Sequence, residues 1–207
     1  MNRPLTPSLP RAAKTAPLQQ HGAWRPALML GAVSLLLLGL AYALATTSVS
    51  RLLFPAQGNG SLLVRDGQVR GSTLVAQPFK GDGYFQARPS AANYDPMAAA
   101  GSNLARSNPA LQERVQASIA TVAAREGVSP AQVPGDLVTQ SGAGMDPELS
   151  PAAAQVQVAR VARARGLAVD RVAALVQAHT LGPQWGVFGQ PRVNVMALNL
   201  ALDDVGR

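Results

Sequence analysis

The sequence contains no cysteine in 207 residues. That excludes disulfides, Cys-ligated zinc and thiol catalysis, so an exported part of the chain has to be held by packing alone. Aromatics are scarce as well, at 4%. A nucleic-acid reader sets stacking aromatics in a basic face, whereas the one basic cluster here, Arg160, Arg163 and Arg165, reads as a solvated helix face. GxxxxGK[ST], HExxH, CxxC and EF-hand patterns are all missing. There are two histidines, His21 and His179. No GxSxG elbow accompanies the second, which reads as a hydrogen-bonded residue at a helix end; a hydrolase using Ser141 or Ser90 with His179 is a rival reading. Asp95-Pro96 and Asp146-Pro147 read as turn formers rather than a catalytic carboxylate pair. Ser141-Gly142-Ala143-Gly144 reads as a plain turn, with an anion nest as its alternative.

Charge is missing from Pro26 to Ser50, while Arg25 and Arg51 stand on either side. A bilayer core needs about 20 apolar residues, and this run, with Leu35 to Leu38 near its middle, exceeds that. Trp24 and Tyr42 lie toward its ends, as amphipathic rings at a membrane interface do. The run predicts one membrane-spanning helix over 26–50. A cleaved signal peptide is the competing reading, but its apolar core is normally only about 7–15 residues. Gly31, Ser34 and Gly39 offer small residues for packing against other spans. Arg3, Arg11, Lys14 and Arg25 precede the span without any acid. This predicts a cytoplasmic, disordered tail over 1–25 and an extracytoplasmic domain over 51–207. Of the net charge of +7, the tail holds four; the outer part has fourteen Lys and Arg against eleven acids.

The outer part predicts an α+β domain with a small sheet and several helices. Ser61–Arg65 and Val69–Ala76 read as a hairpin turned at Asp66-Gly67, with a bulge or bend at Gly71-Ser72. Residues 77–108 and 133–150 read as long structured loops, which in compact domains are commonly functional. Asn108-Pro109 and Ser150-Pro151 are cap-then-proline helix starts, ended at Gly127 and after Arg165 by Gly166. Ser129-Pro130 opens a short turn of helix, and Asp170 is expected to cap another helix over 171–180. Glu113 and Arg114 are expected to face water. Residues 192–200 read as a strand joining the hairpin.

Three stretches carry a resemblance: Tyr84-Phe85-Gln86-Ala87-Arg88-Pro89-Ser90-Ala91; Gly101-Ser102-Asn103-Leu104 with Ser107-Asn108-Pro109; and Asp136 to Pro147 followed by Ser150-Pro151-Ala152-Ala153-Ala154. Together with Arg163-Ala164-Arg165-Gly166 and Arg192-Val193-Asn194-Val195, in this order, they resemble the C subunit of the bacterial Kdp potassium-transporting P-type ATPase. The chain departs from that pattern at Ala105-Arg106, Leu181 and Gln190. The resemblance implies a non-catalytic accessory subunit of an inner-membrane potassium uptake complex, needed for assembly and acting as a catalytic chaperone that raises the pump's ATP affinity. It implies three partners: a channel-like potassium-binding subunit, the ATP-hydrolysing subunit and a very small single-span subunit. It implies no cofactor bound by this chain itself, ATP and potassium being handled by the partners. An independent membrane-anchored exported binding module is the alternative. Loops 81–108 and 134–150 are expected to meet the channel-like subunit through Tyr84, Phe85, Arg88 and Tyr94, residue types favoured at interface centres.

Overall fold

The computed structural model describes Gly22 and residues 24–205, in two units that meet between Leu53 and Phe54. Except for Gly22, Trp24 and Arg25, the expected tail lies outside the described residues. The first unit is one helix, α1 (Trp24–Leu53), 30 residues with a mean hydropathy of 2.3 over its most apolar window, none of which is buried. At 1.5 Å per residue it is about 45 Å long, enough to cross a bilayer. It runs beyond the expected 26–50 at both ends and takes in Arg25 and Arg51, whose long side chains can reach polar headgroups. Residues Leu35–Ala41 form a π-helical turn, closed where the Tyr42 N–H donates to the Leu37 carbonyl.

The second unit is the α+β domain. After a short helix α2 (Pro55–Gly58), strands β1 (Leu62–Arg65) and β2 (Gln68–Ser72) form an antiparallel hairpin. Asp66 and Gly67, at φ of 52° and 72°, supply the two left-handed residues of its tight turn. The register slips between Leu63 and Val64, which bulges Arg70, one residue before the expected place. A Cβ at Gly71 would run into Met196 Cε and Gln77 Nε2, the tips of two flexible side chains that would have to swing aside. The second strand ends at Ser72 and not at Ala76, because the Ser72 hydroxyl accepts the Leu74 N–H and turns the chain.

Residues 77–108 are irregular apart from one 3-10 turn, Pro96–Ala98, capped by the Asp95 carboxylate. Helix α3 (Pro109–Glu126) starts where Asn108 Oδ1 accepts the Ala110 N–H and ends at Gly127, φ 70°. The loop 133–150 contains a two-residue strand, β3 (Glu148–Leu149), that its composition did not reveal.

The helix expected from Ser150 to Arg165 is split into α4 (Pro151–Gln155) and α5 (Val158–Arg165). The buried Gln157 explains the break. Its Nε2 takes the Ala153 carbonyl, leaving its backbone N–H to the nearer Ala154 carbonyl. Helix α6 (Val169–Ala178) is preceded by Ala168, so Asp170 sits inside the first turn and does not cap it; there its charge still favours the helix N-terminus.

The C-terminal segment corrects the sequence reading most. Only β5 (Arg192–Asn194) is strand. It lies centrally between β3 and β4 (Thr180–Leu181), antiparallel to both, and does not join the hairpin. Val195–Val205 is helix α7, with Asn194 Oδ1 accepting the Ala197 N–H at its start. An apolar run of this length fits either a strand or a buried helix by pattern alone. The core packs Leu198 and Leu202 of α7 with Phe85, Val158, Val161 and Val193.

Candidate partner interface

The segment that carries most of the expected interface residues is tied down from the inside. Glu126, at the end of α3, has a fully buried carboxylate that accepts from Arg125 Nε at 2.7 Å and Arg160 Nε at 2.9 Å. Arg160 also donates to the carbonyls of Asp82 (2.6 Å) and Tyr84 (3.0 Å) and to Gln157 Oε1 (2.8 Å). The solvated arginine face is thereby corrected. Arg160 is interior, with its buried acid supplied by α3, a distant stretch of sequence. Arg165 is half-buried, bonded to the Gly83 carbonyl and Asp203, with its guanidinium 4.5 Å from the Tyr84 ring centre. Only Arg163 of the three is exposed.

The Phe85 backbone is held at both polar atoms by the buried Asn199, whose Oδ1 accepts its N–H and whose Nδ2 donates to its carbonyl, each at 2.9 Å. The Phe85 ring is completely enclosed in the core and presents no surface. Tyr84 is half-buried against Phe79 and Arg165. Arg88 and Tyr94 are brought together: the Tyr94 hydroxyl donates to the Arg88 carbonyl at 2.8 Å, and Arg88 Nη1 pairs with Asp146 at 3.0 Å. Arg88 thus joins loop 81–108 to loop 134–150. The two loops also meet at Gly144, where a Cβ would lie 2.9 Å from the Ala100 carbonyl. Burial pushes the Tyr94 hydroxyl above its ordinary 10.0, opposed by the nearby Arg125 charge. Because the folded value is raised, this phenol's contribution to stability is complete below its unfolded pKa and disappears as pH rises through the folded one.

On α1, Gly31 and Ser34 are three residues apart and share a face. The π-helical turn, with its five-residue bonding step, carries Gly39 round toward that face. A Cβ at Gly39 would meet only Leu35 Cδ1, at an ordinary 3.6 Å.

One feature escaped the sequence reading. Between β4 and β5 the chain forms a tight loop closed by reciprocal backbone bonds between Gln184 and Phe188, at 2.7 and 2.9 Å. At its tip Trp185 is 83% exposed, Val187 75% and Phe188 61%. Trp185 adopts φ of 54°, and its ring sits edge-on to Phe188 with centres 6.0 Å apart. The signal was available, since residues 181–191 carry no charge and set two aromatics between Gly182-Pro183 and Gly189.

The hydrolase constellation does not form among the described residues. His179 Nδ1 lies 2.9 Å from the Leu175 carbonyl at the end of α6, Ser90 accepts the backbone N–H groups of Ala92 and Tyr94, and the Ser141 hydroxyl is buried without a partner. Arg114 is half-buried and donates to Gln140 Oε1 at 2.5 Å, contrary to the water-facing position expected for it.

Comparison with known proteins covers both units. The model of the family described as "KdpC: K+-transporting ATPase, c chain" matches residues 24–204. The potassium-transporting ATPase KdpC subunit of Xanthomonas oryzae pv. oryzae is 59% identical over 194 residues, covering 94% of this chain and 93% of that protein. Its namesakes in Shewanella putrefaciens (54% identity; 82% of this chain, 85% of the relative) and Variovorax paradoxus (51%; 86% and 94%) match in the same way. With the long apolar helix and the α+β domain both inside the match, the chain belongs to the KdpC family, the c chain of K+-transporting ATPases.

Proposed function

We propose that this chain is a non-catalytic accessory subunit of an ATP-driven potassium uptake complex in the bacterial inner membrane. The observation that carries this reading is the family match, which runs unbroken through the span and the outer domain. The channel-like potassium-binding subunit, the ATP-hydrolysing subunit and a small single-span subunit are its partners, and they handle the potassium and the ATP. α1 packs against their spans through Gly31, Ser34 and Gly39. Tyr84, Arg88 and Tyr94 on the joined loops, and the Trp185 tip, contact the channel-like subunit. An extracytoplasmic domain cannot touch cytoplasmic ATP, so a chaperone effect on ATP affinity acts by linkage: the chain binds one conformation of the pump more tightly than the other.

Purification of the tagged full chain from its native membrane in mild detergent tests the assignment. The partners are expected to co-purify, and Gly39→Leu is expected to reduce their recovery severalfold, because in lipid close backbone approach is what drives association. An independent module would come out alone. Orientation has its own test. The natural chain has no cysteine, so Gln116→Cys on an exposed face of α3 creates a single thiol. In spheroplasts an impermeant maleimide is expected to label it without lysis; labelling only after lysis would reverse the topology.

A further inference from the structure

Between the 86–94 segment and α3 runs a groove of about 380 Å³, lined by Arg114, Ser118, Thr121 and Arg125 on the helix and by Pro89 and Tyr94 opposite. Among the described residues no acid lines it. Arg114 and Arg125 stand eleven residues apart, three full helical turns, so they lie on one side of α3 about 16 Å apart along its axis. Arg114 has no acidic partner among the described residues, and Arg125 has only part of one. Arg114 is held by the neutral amide of Gln140, and its Nε is buried without a partner. Arg125 shares the single carboxylate of Glu126 with Arg160. The rest of the lining is uncharged, with Ala87, Pro89, Val122 and Leu137 as apolar walls beside the Ser118 and Thr121 hydroxyls and the Gln86 amide.

We propose that this groove receives an extended, acidic segment of a partner subunit, one carboxylate meeting Arg114 and a second meeting Arg125. The inference rests on the accessory-subunit reading above and adds the chemistry of the contact. The two guanidinium groups have separate protein partners at opposite ends of the groove, which suits a chain better than a single compact anion. An extended peptide advances about 3.3 Å per residue, so about five residues cover the distance. The apolar walls suit apolar or small side chains between the two acids, and desolvation there strengthens each charge-assisted bond.

The test uses the full chain in detergent with a fluorescein-labelled peptide of about ten residues in which two glutamates about five positions apart are separated by alanines, so that its carboxylates span both arginines. Anisotropy is expected to report binding that weakens with salt, that Arg114→Glu weakens at least about tenfold, and that inorganic phosphate in equal charge concentration does not displace. Ser118→Trp, which fills the groove and leaves its charges in place, is expected to weaken binding comparably. Binding untouched by both variants, or lost equally to phosphate, would overturn the proposal, the latter outcome marking a small-anion site. A parallel purification separates the two readings. If the natural chain recovers no partners, the subunit assignment fails. If it recovers them and Arg114→Glu recovers them equally well, only the groove inference fails.

Discussion

Arg160→Met is expected to lower the thermal midpoint of the full chain by about 10 °C. The substitution leaves the Glu126 carboxylate, whose side chain has no solvent exposure, with Arg125 alone. It also strips the Asp82 and Tyr84 carbonyls of their donor. Removing one member of a buried ion pair costs about 3–5 kcal/mol, since the remaining charge is desolvated without compensation. For a domain of this size each kcal/mol moves the midpoint by about 2–4 °C. The double variant Arg160→Met with Glu126→Gln is expected to regain a good part of the loss, because the stranded charge is then gone. Calorimetry of both variants checks this: equal midpoints for the single and double variants would show that the arginine stabilises through its carbonyl contacts and not through Glu126.

Phe85→Ala and Trp185→Ala are expected to fail in opposite ways. The enclosed Phe85 ring leaves a cavity when removed, costing about 3–5 kcal/mol and a midpoint drop similar to that of Arg160→Met. Trp185 is 83% exposed, so its removal is expected to shift stability by less than about 0.5 kcal/mol. Partner recovery should respond instead. A loop closed by two backbone bonds that holds an uncovered Trp in a left-handed backbone conformation has the character of an interface anchor, and such residues contribute about 2 kcal/mol or more on truncation, roughly thirtyfold in affinity. Trp185→Ala that keeps full partner recovery would remove the tip from the interface, and Phe85→Ala that keeps its midpoint would contradict the packing of the core.

The elements that sequence predicted well are those decided within a few residues. Asn108-Pro109 and Ser150-Pro151 start helices because an Asn or Ser side chain caps the first free N–H groups and proline has none to lose. Asp66-Gly67 turns the hairpin because both residues tolerate positive φ. The long apolar helix follows from length and the absence of charge alone. The family, too, was readable in the order of the motifs from Tyr84 to Leu200.

What the tertiary structure decided depends on partners far away in sequence. Whether Val195–Leu200 continued as strand or became helix rested on burial of Leu198 and Leu202 against Phe85 and Val158, which no local period reports. Asn199 points inward because it pairs with the Phe85 backbone, 114 residues away. Arg160 is interior although it sits in a basic run, because Glu126 waits inside for it. Phe85, by residue type a candidate for a surface, lies in the core for the same reason that Trp185 lies outside it. Composition names residue types able to fill either place, and only the packing of one element on another determines which side faces water.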